Sequence, residues 1–297
     1  MHSTDAFDAV VIGAGPAGLT AATYLGRFHR RALVIDGGDS RARWIPESHN
    51  IPGFAQGIGG EALLRQMREQ ALRYGAEIRP GHANALERSE RGFRVHVGEQ
   101  SIWSRFVLLN TGVQDVLPDL NGAEEAVLRS VLRFCPICDA FEATGKRIAV
   151  IGSGQHAARE ARFLRTYSDR VTLIRVGNER ESTLEAALRQ AGVAFIDSSL
   201  DELQIESNGV SVRTADGVRF FDVIYAALGC SPRTALATGL GVLVDDNGAL
   251  RVNAHQQTSV AGLYAAGDMV RGLNQVVVAA AEAAIAATDI HNRLRDG

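Results

Sequence analysis

The run Asp8-Ala9-Val10-Val11-Ile12-Gly13-Ala14-Gly15-Pro16-Ala17-Gly18 decides how the rest of the chain is read. A short apolar strand enters a glycine turn, a helical segment from Leu19 to about Phe28 follows, and a second apolar run covers Ala32 to Ile35. Strand, glycine turn, helix, strand is the frame a dinucleotide fingerprint requires. Gly13 permits the tight turn, Gly15 lets backbone approach a pyrophosphate, and Gly18 lets helix and strand pack closely. The helix N-terminus offers unpaired N–H groups and a positive dipole end to phosphate. Asp36 closes the second strand, 23 residues after Gly13, where a carboxylate can accept hydrogen bonds from ribose hydroxyls.

The same order recurs downstream. Ile148 to Ile151 leads into Gly152-Ser153-Gly154-Gln155-His156-Ala157, then a helical segment to about Thr166 and a strand from Val171 to Ile174. Each copy also carries an alternating hairpin-like stretch, Phe93 to Val97 and Val210 to Arg213. Phe106 to Leu109 ends in Thr111-Gly112, and Val223 to Leu228 ends in Gly229. After Gly229 comes one more strand, Gly262 to Asp268, and a helix from about Gln275 to Leu294, with no third nucleotide fold. The pattern predicts an α/β chain with two Rossmann-like dinucleotide-binding domains of three-layer ββα type, the second inserted into the first. The expected division is 1–116, 117–243 and 244–297, with crossings near the breakers Pro118 and Gly122 and near Gly239 to Gly248.

In the second copy the residue 23 positions after the first glycine is Arg175. An arginine there pairs with a ribose 2′-phosphate, which a carboxylate repels, and Arg180 lies close enough to assist. NADPH is therefore expected over NADH.

Cys135-Pro136-Ile137-Cys138-Asp139 lies just ahead of the second fingerprint. Cysteines at this spacing can close and open a small disulfide ring with little backbone movement. Asp139 sets a carboxyl beside the pair, suited to moving the proton that thiol–disulfide exchange needs. A structural zinc site needs four ligands, and Cys230 is the only other cysteine, so no metal is expected. Cys230 reads either as a third redox thiol or, the expectation taken here, as a small buried residue.

With 297 residues, two domains are the natural prior; 46% apolar and 22% charged residues suit a globular protein. A formal charge of −3 gives no reason to expect nucleic acid or an anionic membrane as partner. The first strand follows a short polar lead, so no secretory leader is expected, and Val276 to Ala287 is too short to span a bilayer. The expected compartment is the cytoplasm, where an isolated Cys-x-x-Cys is more often catalytic than structural.

Over essentially its whole length the chain resembles the low-molecular-weight thioredoxin reductases and their thioredoxin-reductase-like relatives. The matching blocks are Gly13 to Gly18, Asn50-Ile51-Pro52-Gly53, Thr111-Gly112, Cys135 to Asp139, Gly152 to Ala157, Ala266-Gly267-Asp268 and Asn274-Gln275-Val276. The resemblance implies FAD in the first domain, its pyrophosphate on the Gly13-Ala14-Gly15-Pro16-Ala17-Gly18 turn. Asp36 would hold the adenosine ribose and Gly267-Asp268 the ribityl-phosphate end. Asn50, Thr111-Gly112 and Gln275-Val276 complete the set, with Asn50 and Gln275-Val276 near the isoalloxazine. NADPH would lie on Gly152, Gly154, Gln155, His156 and Ala157, with Arg175, Arg180 and Gly229. Cys138 would face the flavin, Cys135 would attack the substrate disulfide, and Asp139 would be the acid/base. Electrons would pass from NADPH through FAD and the cysteine pair to thioredoxin or another external disulfide, in a homodimer.

The chain departs from the family pattern at Arg175-Val176-Gly177, where a His-Arg-Arg start is usual, and at Cys-Pro-Ile-Cys in place of Cys-Ala-Thr-Cys. It also has Ala140 where Gly usually follows the Asp, and Asn274 in place of an Arg. Two alternatives stay open: a dithiol oxidase passing electrons from a small dithiol through FAD to oxygen, and a flavin-bearing redox sensor without turnover.

Overall fold

The computed structural model describes residues 6–176, 182–270 and 272–296. Its two fingerprints open two parallel sheets of one plan. In the first, strands run in the order Glu77–Pro80, Ala32–Asp36, Phe7–Ile12, Gln100–Leu109, all parallel at these contacts. The last of these is long. Its C-terminal half also takes Leu263–Ala265 as a parallel neighbour, and its N-terminal half continues into an antiparallel meander with Gly92–Val97 and Ala83–Ser89. The second sheet runs Ala194–Asp197, Val171–Arg175, Ile148–Gly152, Val223–Ala227, Leu132–Arg133, again parallel throughout. Its meander is Leu203–Glu206, Gly209–Thr214 and Gly217–Phe221.

Strands covered on both faces must be apolar on both, and the period of two then sorts their side chains into two cores. Ala9 and Val11 pack toward the helices Pro16–Arg27 and Val276–Asp296, whereas Val10 and Ile12 pack toward the meander residues Phe93, Val95 and Ile102. The second unit repeats this: Ile148 and Val150 face the helix Gly154–Leu164, Ala149 and Ile151 face Val210, Val212 and Phe221. Helix, parallel sheet and meander are the three layers of an α/β, Rossmann-like fold, present twice. The apolar tail is helical and packs through Ala279, Ala283, Ala286 and Ile290. Among the described residues no helix is long and apolar enough to cross a membrane.

The segments joining the units are strapped together. Val113–Asp115 and Cys230–Pro232 form a two-stranded antiparallel ribbon, with Asp115 opposite Cys230 and Val113 opposite Pro232. Directly after this ribbon, Leu236, Ala237, Leu240 and Val242 pack into the first unit's meander-side core.

The glycines that open the two turns meet the same obstacle. Gly13 has φ +108° and Gly152 φ +156°, and a Cβ on either would strike the carbonyl oxygen ending the adjacent strand, that of Asn110 or Ala227. Only glycine takes such a backbone without a Cβ collision. The copies differ one turn later, where Gly18 is matched by Ala157. A Cβ on Gly18 would strike the Gly13 carbonyl and lie 3.3 Å from Val11 Cγ1. Gly18→Ala is therefore expected to destabilise the first unit by roughly 1–3 kcal/mol, as overpacking does. Ala157→Gly should cost only about 1 kcal/mol, the helix-propensity difference. Chemical denaturation of the two variants checks this, and equal losses would contradict it.

Candidate functional site

A cavity of about 530 Å³ lies along the first fingerprint and reaches across to the second unit. Its volume is within the range of small-molecule and cofactor sites. One end holds Asp36, Gly37 and His82; the middle passes Gly13, Ala14, Gly15, Pro16 and Ala17; the far end holds Asn50, Gln275, Val276, Cys135 and Cys138. Thr111, Gly112, Gly267 and Asp268 line its walls. Of the residues assigned to FAD from the sequence, Gly18 alone is off the lining, because it is spent on packing against Gly13. The shape suits an extended dinucleotide. A backbone cradle, a carboxylate and a redox disulfide all face the cavity.

Several polar groups of the wall are held by partners. Asp36 accepts from the Gly38 N–H at 2.9 Å and pairs with Arg68 of the helix Gly60–Arg73 at 2.5 Å. Arg41 grips Asp115 with two nitrogens, at 2.6 and 2.8 Å, and reaches Asp268 at 3.0 Å. The Gly267 N–H donates to Glu282 at 2.8 Å, which fixes the turn presenting Asp268. Arg68, Arg41 and Glu282 lie far from their targets in sequence and carry no local motif, so the sequence does not announce them.

Cys135 and Cys138 form a disulfide. The Gln275 amide nitrogen lies 3.4 Å from Sγ of Cys138 and 3.6 Å from Sγ of Cys135, while its oxygen accepts from Asn50 Nδ2 at 2.9 Å. Ser48 donates to Asn50 Oδ1 at 2.9 Å. The chain Ser48–Asn50–Gln275 thus holds the amide nitrogen, which also donates to the Asn274 carbonyl at 2.8 Å, against the two sulfurs, and Gln275 is buried there. Asp139 follows on the same cavity wall. Burial pushes its carboxyl up from the usual carboxylate range, opposed by the Arg133 charge and the Tyr225 hydroxyl and reinforced by Glu142. A carboxyl so placed holds a proton more readily than an exposed aspartate.

The second fingerprint lies away from the cavity. Gly152, Gly154, Gln155, His156, Ala157, Arg175 and Gly229 are not among its lining residues. Gly152 and the N-terminus of Gly154–Leu164 form a cradle like the first. Arg175, however, is already engaged: it pairs with Glu185 of Ser182–Gln190 and with Asp197 of the neighbouring strand, at 2.6 Å from Oδ1. It also lies over the Phe195 ring at 5.2 Å. The cradle fits a dinucleotide, but the cation expected to read a 2′-phosphate is spoken for by two carboxylates. Arg180 lies outside the described residues. His156 pairs with Glu160 at 3.3 Å.

Cys230 is exposed, not buried as its residue type suggests, because it stands on the joining ribbon instead of inside a sheet. It is a free thiol outside the cavity lining. Among the described residues no cluster of His, Cys, Asp and Glu could hold a metal ion.

The profile of the pyridine nucleotide-disulphide oxidoreductases matches residues 7–283. The chain belongs to that family. It is 33% identical over 303 residues to a thioredoxin reductase of Mycolicibacterium smegmatis, covering 97% of both chains. Among solved structures it is similar to HlmI, with a TM-score of 0.89 and 30% identity over 100% of this chain and 95% of that one. The thioredoxin reductase of Streptococcus pyogenes MGAS5005 shares the fold, with a TM-score of 0.89 at 24% identity over 99% and 100% of the two chains. The chain is an FAD-dependent disulfide reductase by family and by its disulfide, and its thioredoxin reductase relatives use FAD and NADPH.

Glu160 supplies a pH test of this geometry. Burial pushes its carboxyl up to about 7, and its Oε2 is buried without a hydrogen-bond partner. A carboxyl whose folded pKa is raised favours folding fully only below its unfolded value near 4.5. That contribution is lost as pH rises to about 7. Glu160→Gln should remove this slope and stabilise the second unit above neutral pH, by about 1–3 kcal/mol. Denaturation of wild type and variant across that range measures it; parallel pH curves would refute it.

Proposed function

We propose that the chain reduces an external disulfide, that of a thioredoxin-like protein or a small molecule, with electrons from NADPH, as a cytoplasmic homodimer. The observation that carries the reading is the convergence of the Cys135–Cys138 disulfide, Gln275 and the glycine cradle on one cavity. Gly13, Gly15, Pro16 and Ala17 would hold the FAD pyrophosphate, with Gly18 keeping the helix close. Asp36 would take the adenosine ribose, and Gly267-Asp268 the ribityl end. Asn50, Thr111, Gly112, Gln275 and Val276 would surround the rest. Bound FAD supplies the two-electron relay between reduced nucleotide and disulfide.

The protein's own groups account for the exchange. Once the pair is reduced, the Cys135 thiolate attacks one sulfur of the substrate disulfide. That S–S bond breaks, and the departing thiolate takes the proton held by Asp139. Cys138, as thiolate, then attacks Cys135 Sγ and releases the second substrate thiolate. The protein disulfide re-forms, the pair oxidised and the substrate reduced by two electrons. Cys138 is assigned to the flavin side and Cys135 to the substrate as the family resemblance implies, and the Gln275 amide lies within reach of both sulfurs.

The nucleotide would lie on Gly152, Gly154, Gln155, His156 and Ala157, bounded by Gly229, with Arg175 and Arg180 toward the ribose. That cradle is off the cavity in this arrangement. Alternate presentation of nucleotide and disulfide then requires the second unit to turn about the Val113–Asp115 and Cys230–Pro232 ribbon. The ribbon also suggests the domain limits: first unit 1–116, second unit from 117. The second unit would run to 243 and the first resume at 244, with Leu236 to Val242 already packed against the first unit's core.

Three experiments test the reading. The purified protein should be yellow, with about one FAD per chain as one acid-terminated cradle implies. Cys135→Ser and Cys138→Ser should each abolish disulfide turnover; turnover surviving in either refutes the dithiol mechanism. A free charge-assisted contact of roughly 1.5–3 kcal/mol would favour NADPH over NADH by about ten- to a hundredfold. With Arg175 already paired, the preference should fall at or below the lower end, and Glu185→Gln should widen it. Titration calorimetry with both nucleotides decides; an unchanged ratio in Glu185→Gln removes Arg175 from phosphate recognition.

A further inference from the structure

The Asp139 carboxyl is held from outside its own short turn. Its Oδ1 accepts a hydrogen bond of 2.8 Å from the Tyr225 hydroxyl, and Arg133 Nη1 lies 3.6 Å from the same oxygen. That nitrogen also donates to the Asp139 carbonyl at 2.6 Å and to Tyr225 Oη at 3.3 Å, while Arg133 Nε donates to the Ser130 carbonyl at 2.9 Å. Arg133 is 6% exposed and Tyr225 fully buried. Burying a guanidinium is costly unless its charge is paired and its donors are used, and here Asp139 supplies both a counter-charge and an acceptor.

The two residues are built into the second unit's parallel sheet. Tyr225 stands opposite Arg133 across the pairing of Val223–Ala227 with Leu132–Arg133. Groups mounted on strands hold a geometry more strictly than groups on loops. We propose that Arg133 and Tyr225 are positioning residues for the proton donor. They fix the Asp139 carboxyl beside the redox disulfide and govern the proton it passes to the leaving thiolate. The inference rests on Asp139 being that donor. The charged and titratable groups acting on Asp139 are Arg133, Tyr225 and Glu142. Burial acts most strongly and holds the proton on, Glu142 adds to it, and the hydroxyl and the guanidinium offset both, tuning how readily the proton leaves.

The test is the pH profile of the purified, pre-reduced holoenzyme reacting with bis(2-hydroxyethyl) disulfide, followed by quenching and thiol alkylation. A protonated donor gives a rate that falls on the alkaline side. Tyr225→Phe removes a hydrogen bond to the carboxylate, so the donor keeps its proton to higher pH and the falling limb moves up by about one pH unit. Arg133→Lys keeps the charge but loses the fork that also grips Ser130, and should move the limb in the same direction by less. Asp139→Asn should lose the limb, and adding Tyr225→Phe to it should shift nothing further. A Tyr225→Phe enzyme with a uniformly lower rate and an unmoved limb overturns the positioning role while leaving Asp139 as donor. A limb that survives Asp139→Asn overturns both.

Discussion

The amide nitrogen of Gln275 reaches both sulfurs of the Cys135–Cys138 disulfide, and the contact joins parts of the chain that belong to different sheets. Gln275 begins the helix packed on the first sheet, whereas the cysteines sit between the strands Leu132–Arg133 and Ile148–Gly152 of the second. An N–H···S contact is weak, so it does not hold the units together; it records where they meet. The tie is the backbone ribbon of Val113–Asp115 with Cys230–Pro232, and the first unit braces its own strand of that ribbon by gripping Asp115 with Arg41, which also reaches Asp268. A disulfide that must face a buried cofactor and then an outside substrate needs such a division. The attachment belongs at the pivot, and the contact at the chemistry must be easy to break.

The two copies of the fold solve one electrostatic problem with opposite signs. In the first, a strand-end carboxylate, Asp36, is paired with a cation from the helix that follows, Arg68. In the second, the strand-end residue is the cation Arg175, and the following helix supplies the anion Glu185. The placement is conserved by the geometry of a strand feeding a helix, while the charges are exchanged. A carboxylate at this edge suits ribose hydroxyls; an arginine suits a phosphate only to the extent that its own carboxylates release it. Asp197 draws Arg175 further toward the protein.

What could be read from the sequence was what the chain writes locally. The glycine turns and flanking strands, the repeat of the whole plan and the Cys-x-x-Cys follow from spacing, since backbone approach and ring closure involve neighbours in sequence. Asp36 and Arg175 were legible as strand-end residues but not as paired ones, because Arg68 and Glu185 are ordinary charges on amphipathic helices. Arg133 and Tyr225 were illegible for a stronger reason. They are 92 residues apart, and only the pairing of their strands brings guanidinium and phenol together. Cys230 misled through its type: small thiols favour interiors, yet its strand belongs to an exposed ribbon.

The proton and electron chemistry are also divided between the units in an unequal way. The disulfide, Asp139, Arg133 and Tyr225 all belong to the second unit, and Gln275 and Asn50 to the first. Turning the second unit about the ribbon would strip the sulfurs of their amide donor but leave the acid and both of its supports in place. The donor is therefore needed where the disulfide is read by the cavity, and the acid wherever the disulfide goes. That is the partition a thiol–disulfide exchange requires. On the proposed turn of the second unit the outside substrate would be met away from Gln275, and Arg133 and Tyr225, anchored in the second sheet, would be the residues that keep Asp139 ready for it.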